Sequence, residues 1–257
     1  MPGTNTSTLS SSSAASDVYK RQVLGLLCAL ATVLWAKPLE TDTFKTKSGK
    51  DVVITFIKHG SLMLSYNGKY IQIDPVSQYA DYQSFPKADV ILITHEHADH
   101  LDLQAIQAVS KNQTEVLINE SGYKKLEKGN ILKNGDETFI LGDVKVEAVP
   151  AYNTTAGREM YHPRHRDNGY VLTVDGLRIY VAGDTEDIPE LKELKEIDVA
   201  FLPVNQPYTM TVDQAARAAR MFSPKVLYPY HYGSTAIDEL PAKLKGSGVE
   251  VRIRQMQ

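Results

Sequence analysis

The strongest constraint on this chain is that one arrangement of β-rich runs occurs twice. In the first half, residues 52–57, 62–66 and 70–73 read as strands, the last two joined by Asn67-Gly68, a strong hairpin signal. Residues 90–94 then form a continuous apolar run, as a strand covered on both faces requires. In the second half, residues 170–174 and 177–182 flank the turn Asp175-Gly176 and end in Gly183-Asp184-Thr185, as the first hairpin ends in Ile73-Asp74-Pro75. About fifteen residues beyond each aspartate comes a second match, Asp89-Val90-Ile91-Leu92 against Asp198-Val199-Ala200-Phe201. Two halves in the same order predict two similar β-layers packed together with helices outside, an α/β four-layer αβ/βα sandwich. A single repetition of this length does not suit a solenoid.

The remaining pattern fits that frame. Residues 101–109 carry apolar Leu101, Ala105, Ile106 and Val109 near the helical period, and 116–118, 137–141 and 144–149 read as strands. Thr211-Val212-Asp213-Gln214 is a capping box opening a helix over 212–221, and 226–230 is a closing strand that leads to His231. At 257 residues and 42% hydrophobic, one core is within reach, and residues 37–257 are expected to form a single domain. A net charge of −3 gives no basic face, which argues against nucleic acid as a partner.

Residues 1–22 are Ser-rich and apolar-poor, and read as a disordered or non-native leader. Lys20 and Arg21 then precede an apolar run over 23–36 that ends in Ala36, the pattern of a secretory signal. The run is too short to span a bilayer, so the expectation is a periplasmic or secreted protein with no stable membrane span after cleavage. The only cysteine, Cys28, lies inside this run, which leaves residues 37–257 without a thiolate ligand or nucleophile.

Chemistry concentrates at Thr94-His95-Glu96-His97-Ala98-Asp99-His100. Three of the seven histidines and an aspartate stand here, between a buried strand and a helix, where α/β proteins place their sites. Neutral imidazole and carboxylate suit zinc, and manganese or iron are also compatible with this set. Alternation lets His95 and His97 point to one ion while Asp99 and His100 turn toward a second.

Thr-His-x-His-x-Asp-His, Gly183-Asp184-Thr185 and the late His231 together resemble the metallo-β-lactamase superfamily over about residues 52–233. The strand Phe56-Ile57-Lys58-His59-Gly60-Ser61-Leu62, Ile73-Asp74-Pro75, Ala151-Tyr152-Asn153, His162-Pro163 and Gly169-Tyr170-Val171 are similar to the small hydrolases related to the ascorbate-phosphate lactonases. The resemblance implies that Asp184 bridges two ions and that His231 completes the second site with Asp99 and His100. Many members place a histidine where this chain has Asn153, a weak zinc ligand. His162 is expected to replace it, with His165 or Asn153 itself as alternatives. His59 and Asp74 are expected to orient ligands or water.

The long polar loop over 152–168 carries Arg158, Arg164 and Arg166, which would suit a phosphate or carboxylate on a small anionic substrate, with Tyr208 lining the same mouth. The expected activity is hydrolysis of an ester, lactone or phosphoester by a metal-bound hydroxide, with two zinc ions per chain and Asp99 positioning the nucleophile. An iron-dependent redox enzyme on the same fold and a non-catalytic metal-binding module remain open alternatives.

Overall fold

The computed structural model describes residues 38–257 together with residues 1 and 3; the signal-like run at 20–36 lies outside the described residues. Among the described residues, fourteen strands divide into two seven-stranded sheets, and in each sheet the strands lie in sequence order. The first holds β1 (Thr41–Lys45), β2 (Asp51–Lys58), β3 (Ser61–Tyr66), β4 (Lys69–Ile73), β5 (Val90–Ile93), β6 (Glu115–Ile118) and β7 (Asn130–Ile131). The second holds β8 (Glu137–Ile140), β9 (Val144–Ala151), β10 (Asp167–Val174), β11 (Leu177–Val181), β12 (Val199–Pro203), β13 (Val226–Tyr230) and β14 (Glu250–Val251).

Each sheet opens with antiparallel strands and turns parallel after its fourth, at β4–β5 and at β11–β12. The repeat read from the two hairpins is therefore a repeat of topology. Both hairpin turns place Asn or Asp and Gly at positive φ, 50° and 71° at Asn67-Gly68 and 44° and 78° at Asp175-Gly176, as the tight right-twisted turn demands.

The sheets meet face to face through Phe56, Phe201 and Tyr228, with ring centroids 4.9–6.1 Å apart. Helix α1 (Leu103–Val109) covers the outer side of the first sheet, burying Ala105, Ile106 and Val109 against Ile57, Ile91, Ile93 and Ile118. It begins two residues later than its apolar pattern suggests, because Asp102 caps it by accepting from the backbone N–H of Gln104. A second helix, α2 (Glu120–Leu126), follows β6. Helix α3 (Val212–Phe222) keeps the expected Thr211/Gln214 capping box and lays its alanine face on the second sheet, where Phe222 meets Tyr180 at 5.6 Å. The short α4 (Leu240–Lys243) precedes β14. The order helix, sheet, sheet, helix is the four-layer sandwich. Among the described residues no helix is long and apolar enough to cross a membrane.

Strand β1 is held to the C-terminal segment by Asp42, whose carboxylate accepts from Arg254 at 2.7 and 2.8 Å and from the Tyr228 hydroxyl. Partial burial opposes ionisation, but the Arg254 and Tyr228 hydrogen bonds prevail and hold its pKa below the usual carboxylate value. Its stabilisation is therefore present above about pH 4 and is lost as pH falls through the lower folded value. Asp42→Asn is expected to cost roughly 1–3 kcal/mol at neutral pH. Urea melts of the two proteins should converge as pH drops below the unfolded aspartate pKa, and a pH-independent gap would contradict the ionic origin.

Candidate metal centre

The site lies where the two sheets are stitched together at the carboxyl ends of their central strands. The backbone N–H of Asn168 donates to Thr94 O at 3.1 Å, the Tyr170 hydroxyl donates to Ile93 O at 2.7 Å, and the His231 N–H donates to His59 O at 3.1 Å. Backbone at this edge is forced into unusual shapes. His59, Asp74 and His231 have φ of 56°, 44° and 48°, a region costly for side chains other than glycine and tolerated where function needs it. Gly60 packs against the His100 ring so closely that an added Cβ would lie 2.8 Å from it.

Seven imidazole and carboxylate side chains converge there in two groups. His95, His97 and His162 bring ligand atoms within 4.8 Å of one another, and so do Asp99, His100, His231 and His59. Asp184 stands between the groups. Its Oδ2 lies 3.3 Å from His162 Nε2, 3.4 Å from His231 Nε2 and 3.9 Å from His95 Nε2, while Oδ1 lies 3.4 Å from His100 Nε2. His231 Nε2 is also 3.5 Å from Asp99 Oδ2, and His95 Nε2 is 3.1 Å from His97 Nδ1.

These separations fit a metal. Two donors bound tetrahedrally to one zinc ion at 2.0–2.1 Å sit roughly 3.3 Å apart. Among the described residues, buried His100 Nε2, His231 Nε2 and Asp184 Oδ1 make no hydrogen bond at all, although burying such atoms without a partner is costly. The electrostatics agree. Burial would lower the pKa of His100, but Asp184, Asp74 and Asp99 outweigh it and push it up to about 10, so this point demands positive charge. Burial, reinforced by His100, His162 and His97, drives His95 well below its ordinary value and keeps its lone pair free for a metal. Asp99 stays ionised far below the carboxylate range, since His231 and His59 overcome the effect of burial.

The orienting groups are carboxylates behind the rings. Fully buried Asp74 accepts from the Thr94 N–H at 2.8 Å, the Thr94 hydroxyl at 2.6 Å and His100 Nδ1 at 2.8 Å, which turns His100 Nε2 inward. His59 bonds Asp99 Oδ2 through Nε2 at 3.1 Å and stacks on His231 with centroids 3.6 Å apart. Asp167, which no sequence motif singled out, does the same for His162, 3.2 Å from its Nδ1, and is itself gripped by Arg166 at 2.7 and 2.8 Å. Each pairing fixes a tautomer and a ring direction.

The structure brings Asn153 beside the centre and commits its amide nitrogen elsewhere, while its buried Oδ1 makes no hydrogen bond among the described residues. Nδ2 donates to Tyr208 O at 2.7 Å and Arg158 O at 3.2 Å, and the backbone N–H donates to His162 O at 2.9 Å. Asn153 thus ties the His162 loop to the Tyr208 turn. His165 and Arg164 are not brought to the centre. Both are exposed and line a separate cavity, with Arg164 paired to Glu190 at 2.7 Å. Arg166 is close, 3.5 Å from His97, but its charge is spent on Asp167 and on Glu96 at 3.2 Å. Arg158 bonds Gln206 and lies 3.8 Å from Glu186, a buried carboxylate that caps the loop through the N–H groups of Thr154 and Thr155. Tyr208 does stand at the mouth, in a cleft of about 220 Å³ shared with Tyr161, Asn205 and the metal-facing side chains.

The comparisons with known proteins agree with the fold. The family model for the β-lactamase superfamily domain matches residues 53–231. A metal-dependent hydrolase from Ligilactobacillus salivarius is 33% identical over 195 residues, covering 70% of this chain and 85% of its own length. A crystal structure from Parabacteroides distasonis, of a protein assigned as a metal-dependent hydrolase, is 70% identical with a TM-score of 0.84, covering 85% of this chain and all of that one. A metallo hydrolase from Ignicoccus hospitalis shares the fold at 24% identity and a TM-score of 0.67, over 79% of this chain and 95% of that one. The chain therefore belongs to the metallo-β-lactamase superfamily, among its metal-dependent hydrolases.

Proposed function

We propose that the chain hydrolyses a small ester, lactone or phosphoester with two zinc-type ions, one held by His95, His97 and His162, the other by Asp99, His100 and His231, and both by Asp184. The observation that carries this reading is the placement of Asp184 within 3.3–3.9 Å of four imidazoles from both groups, with no hydrogen bond to its Oδ1 among the described residues. Such ions, when bound, lower the pKa of water toward neutrality and polarise the oxygen of the scissile group.

The chain's own residues supply orientation and proton handling. Asp99 ties Oδ2 to His59 and His231, and among the described residues its Oδ1 makes no hydrogen bond, leaving it to orient an attacking water by accepting from its O–H. Asp74 and Asp167 hold the His100 and His162 rings so that their Nε2 atoms do not wander. Tyr161 and Tyr208 narrow the entrance and limit bulk water around the reacting groups. No Gly-x-Ser-x-Gly elbow occurs in the sequence, so no serine nucleophile of that kind competes for the role.

A panel of lactone, carboxylic ester and phosphodiester substrates, run on protein reconstituted with zinc, manganese or iron, tests the reading. Turnover of at least one class that is abolished by chelation and restored by metal is the expected result. Fully metal-loaded protein that turns over none of them would favour a non-catalytic metal-binding role instead.

A further inference from the structure

The walls of the catalytic cleft differ from what the loop arginines suggest. Apart from side chains facing the centre, the cleft is bounded by Tyr161, Tyr208 and Asn205. The two tyrosine rings meet edge to face with centroids 5.0 Å apart, and Tyr208 is 45% exposed. The side-chain amide of Asn205 makes no hydrogen bond among the described residues, so it offers a neutral donor and acceptor to whatever enters. None of the three loop arginines lines this space, and each is already matched by a carboxylate: Arg158 near Glu186, Arg164 with Glu190, Arg166 with Asp167 and Glu96. At about 220 Å³ the cleft is below the usual range of drug-sized pockets, so the bound group must be small.

From this wall chemistry we infer that the part of the substrate that does not react is an uncharged, flat group, aromatic or conjugated, seated against Tyr161 and Tyr208 and hydrogen-bonded by Asn205. The inference rests on the hydrolase reading for the place of the scissile bond, but its logic concerns the walls alone. Aromatic faces favour a flat apolar partner in stacked or edge-on contact, and a cleft wall without an unpaired cation gives a distal carboxylate or phosphate no compensation for lost hydration.

Hydroxamates anchor on metal ions through one constant group, so they separate the walls from the metals. Binding to zinc-loaded protein is measured by calorimetry for acetohydroxamate, benzohydroxamate and 4-carboxybenzohydroxamate. Benzohydroxamate should bind about tenfold more tightly than either of the others, a difference of ~1.4 kcal/mol. Tyr208→Ala should erase most of its advantage over acetohydroxamate and leave acetohydroxamate itself unchanged. Tyr208→Phe should retain the advantage, because the hydroxyl has no bond to lose. Tighter binding of the 4-carboxy compound than of benzohydroxamate would overturn the inference, as would an aromatic advantage indifferent to Tyr208→Ala. Should the preference hold while no ester, lactone or phosphodiester is turned over, the hydrolase reading fails and the wall assignment stands.

Discussion

Asp184→Asn is expected to lower turnover by about 10³-fold or more, roughly 4 kcal/mol of transition-state stabilisation, with little change in the Tm of metal-free protein. The two halves of that expectation come from one observation. The Asp184 carboxylate is buried, and its Oδ1 makes no hydrogen bond among the described residues, so the amide variant removes no hydrogen bond from that oxygen. What it does touch are the Nε2 atoms of His95, His100, His162 and His231. An amide would present N–H₂ to one side of that cluster and a weak neutral oxygen to the other, and it would remove the charge that offsets two neighbouring dications. Metal content should fall from two ions to one. A variant that loses activity only because its Tm collapses would argue for a structural Asp184.

The second large effect concerns the third ligand of the first ion. His162→Ala is expected to reduce stoichiometry to one ion, since among the described histidines and carboxylates His162 groups with His95 and His97 and has Asp167 behind it to fix its ring. Asn153→Ala should keep two ions and weaken them by no more than the ~10–100-fold typical of an outer partner. Its amide nitrogen is committed to Tyr208 O and Arg158 O, so the variant loses a tether between loops together with the Oδ1 that makes no hydrogen bond among the described residues. His165→Ala should leave metal binding unchanged, because His165 is exposed and faces another cavity. Equilibrium titration with a chromophoric zinc competitor measures all three. Two ions retained in His162→Ala and one lost in Asn153→Ala would make the amide the ligand.

Much of this arrangement was legible before the fold was known, for reasons of local chemistry. The paired hairpins set Asp74 and Asp184 at equivalent strand ends, and the topology repeats in both sheets with the same switch from antiparallel to parallel. His95 to His100 announce themselves by density alone. What escaped notice has no local signature. Asp167 is an ordinary acidic residue after an arginine, and only the return of the 152–166 loop places it behind His162. Strand β1 reads as a polar segment, with exposed and half-buried residues throughout, and its place is fixed by Asp42 bonding to Arg254, far away in the sequence. The two-residue strands β7 and β14 are too short for any periodicity. The loop arginines are hard to read for the opposite reason. Their charge is plain in the sequence, but apart from Asp167 beside Arg166 the carboxylates that pair with them, Glu96, Glu186 and Glu190, stand on other segments.

The most direct test of a two-metal centre bridged by Asp184 is anomalous diffraction from metal-reconstituted crystals, recorded on both sides of the absorption edge. Two peaks are predicted, one against His95, His97 and His162 and one against Asp99, His100 and His231, with Asp184 contacting both. A single peak at full loading, or a second ion that Asp184 does not touch, would contradict it.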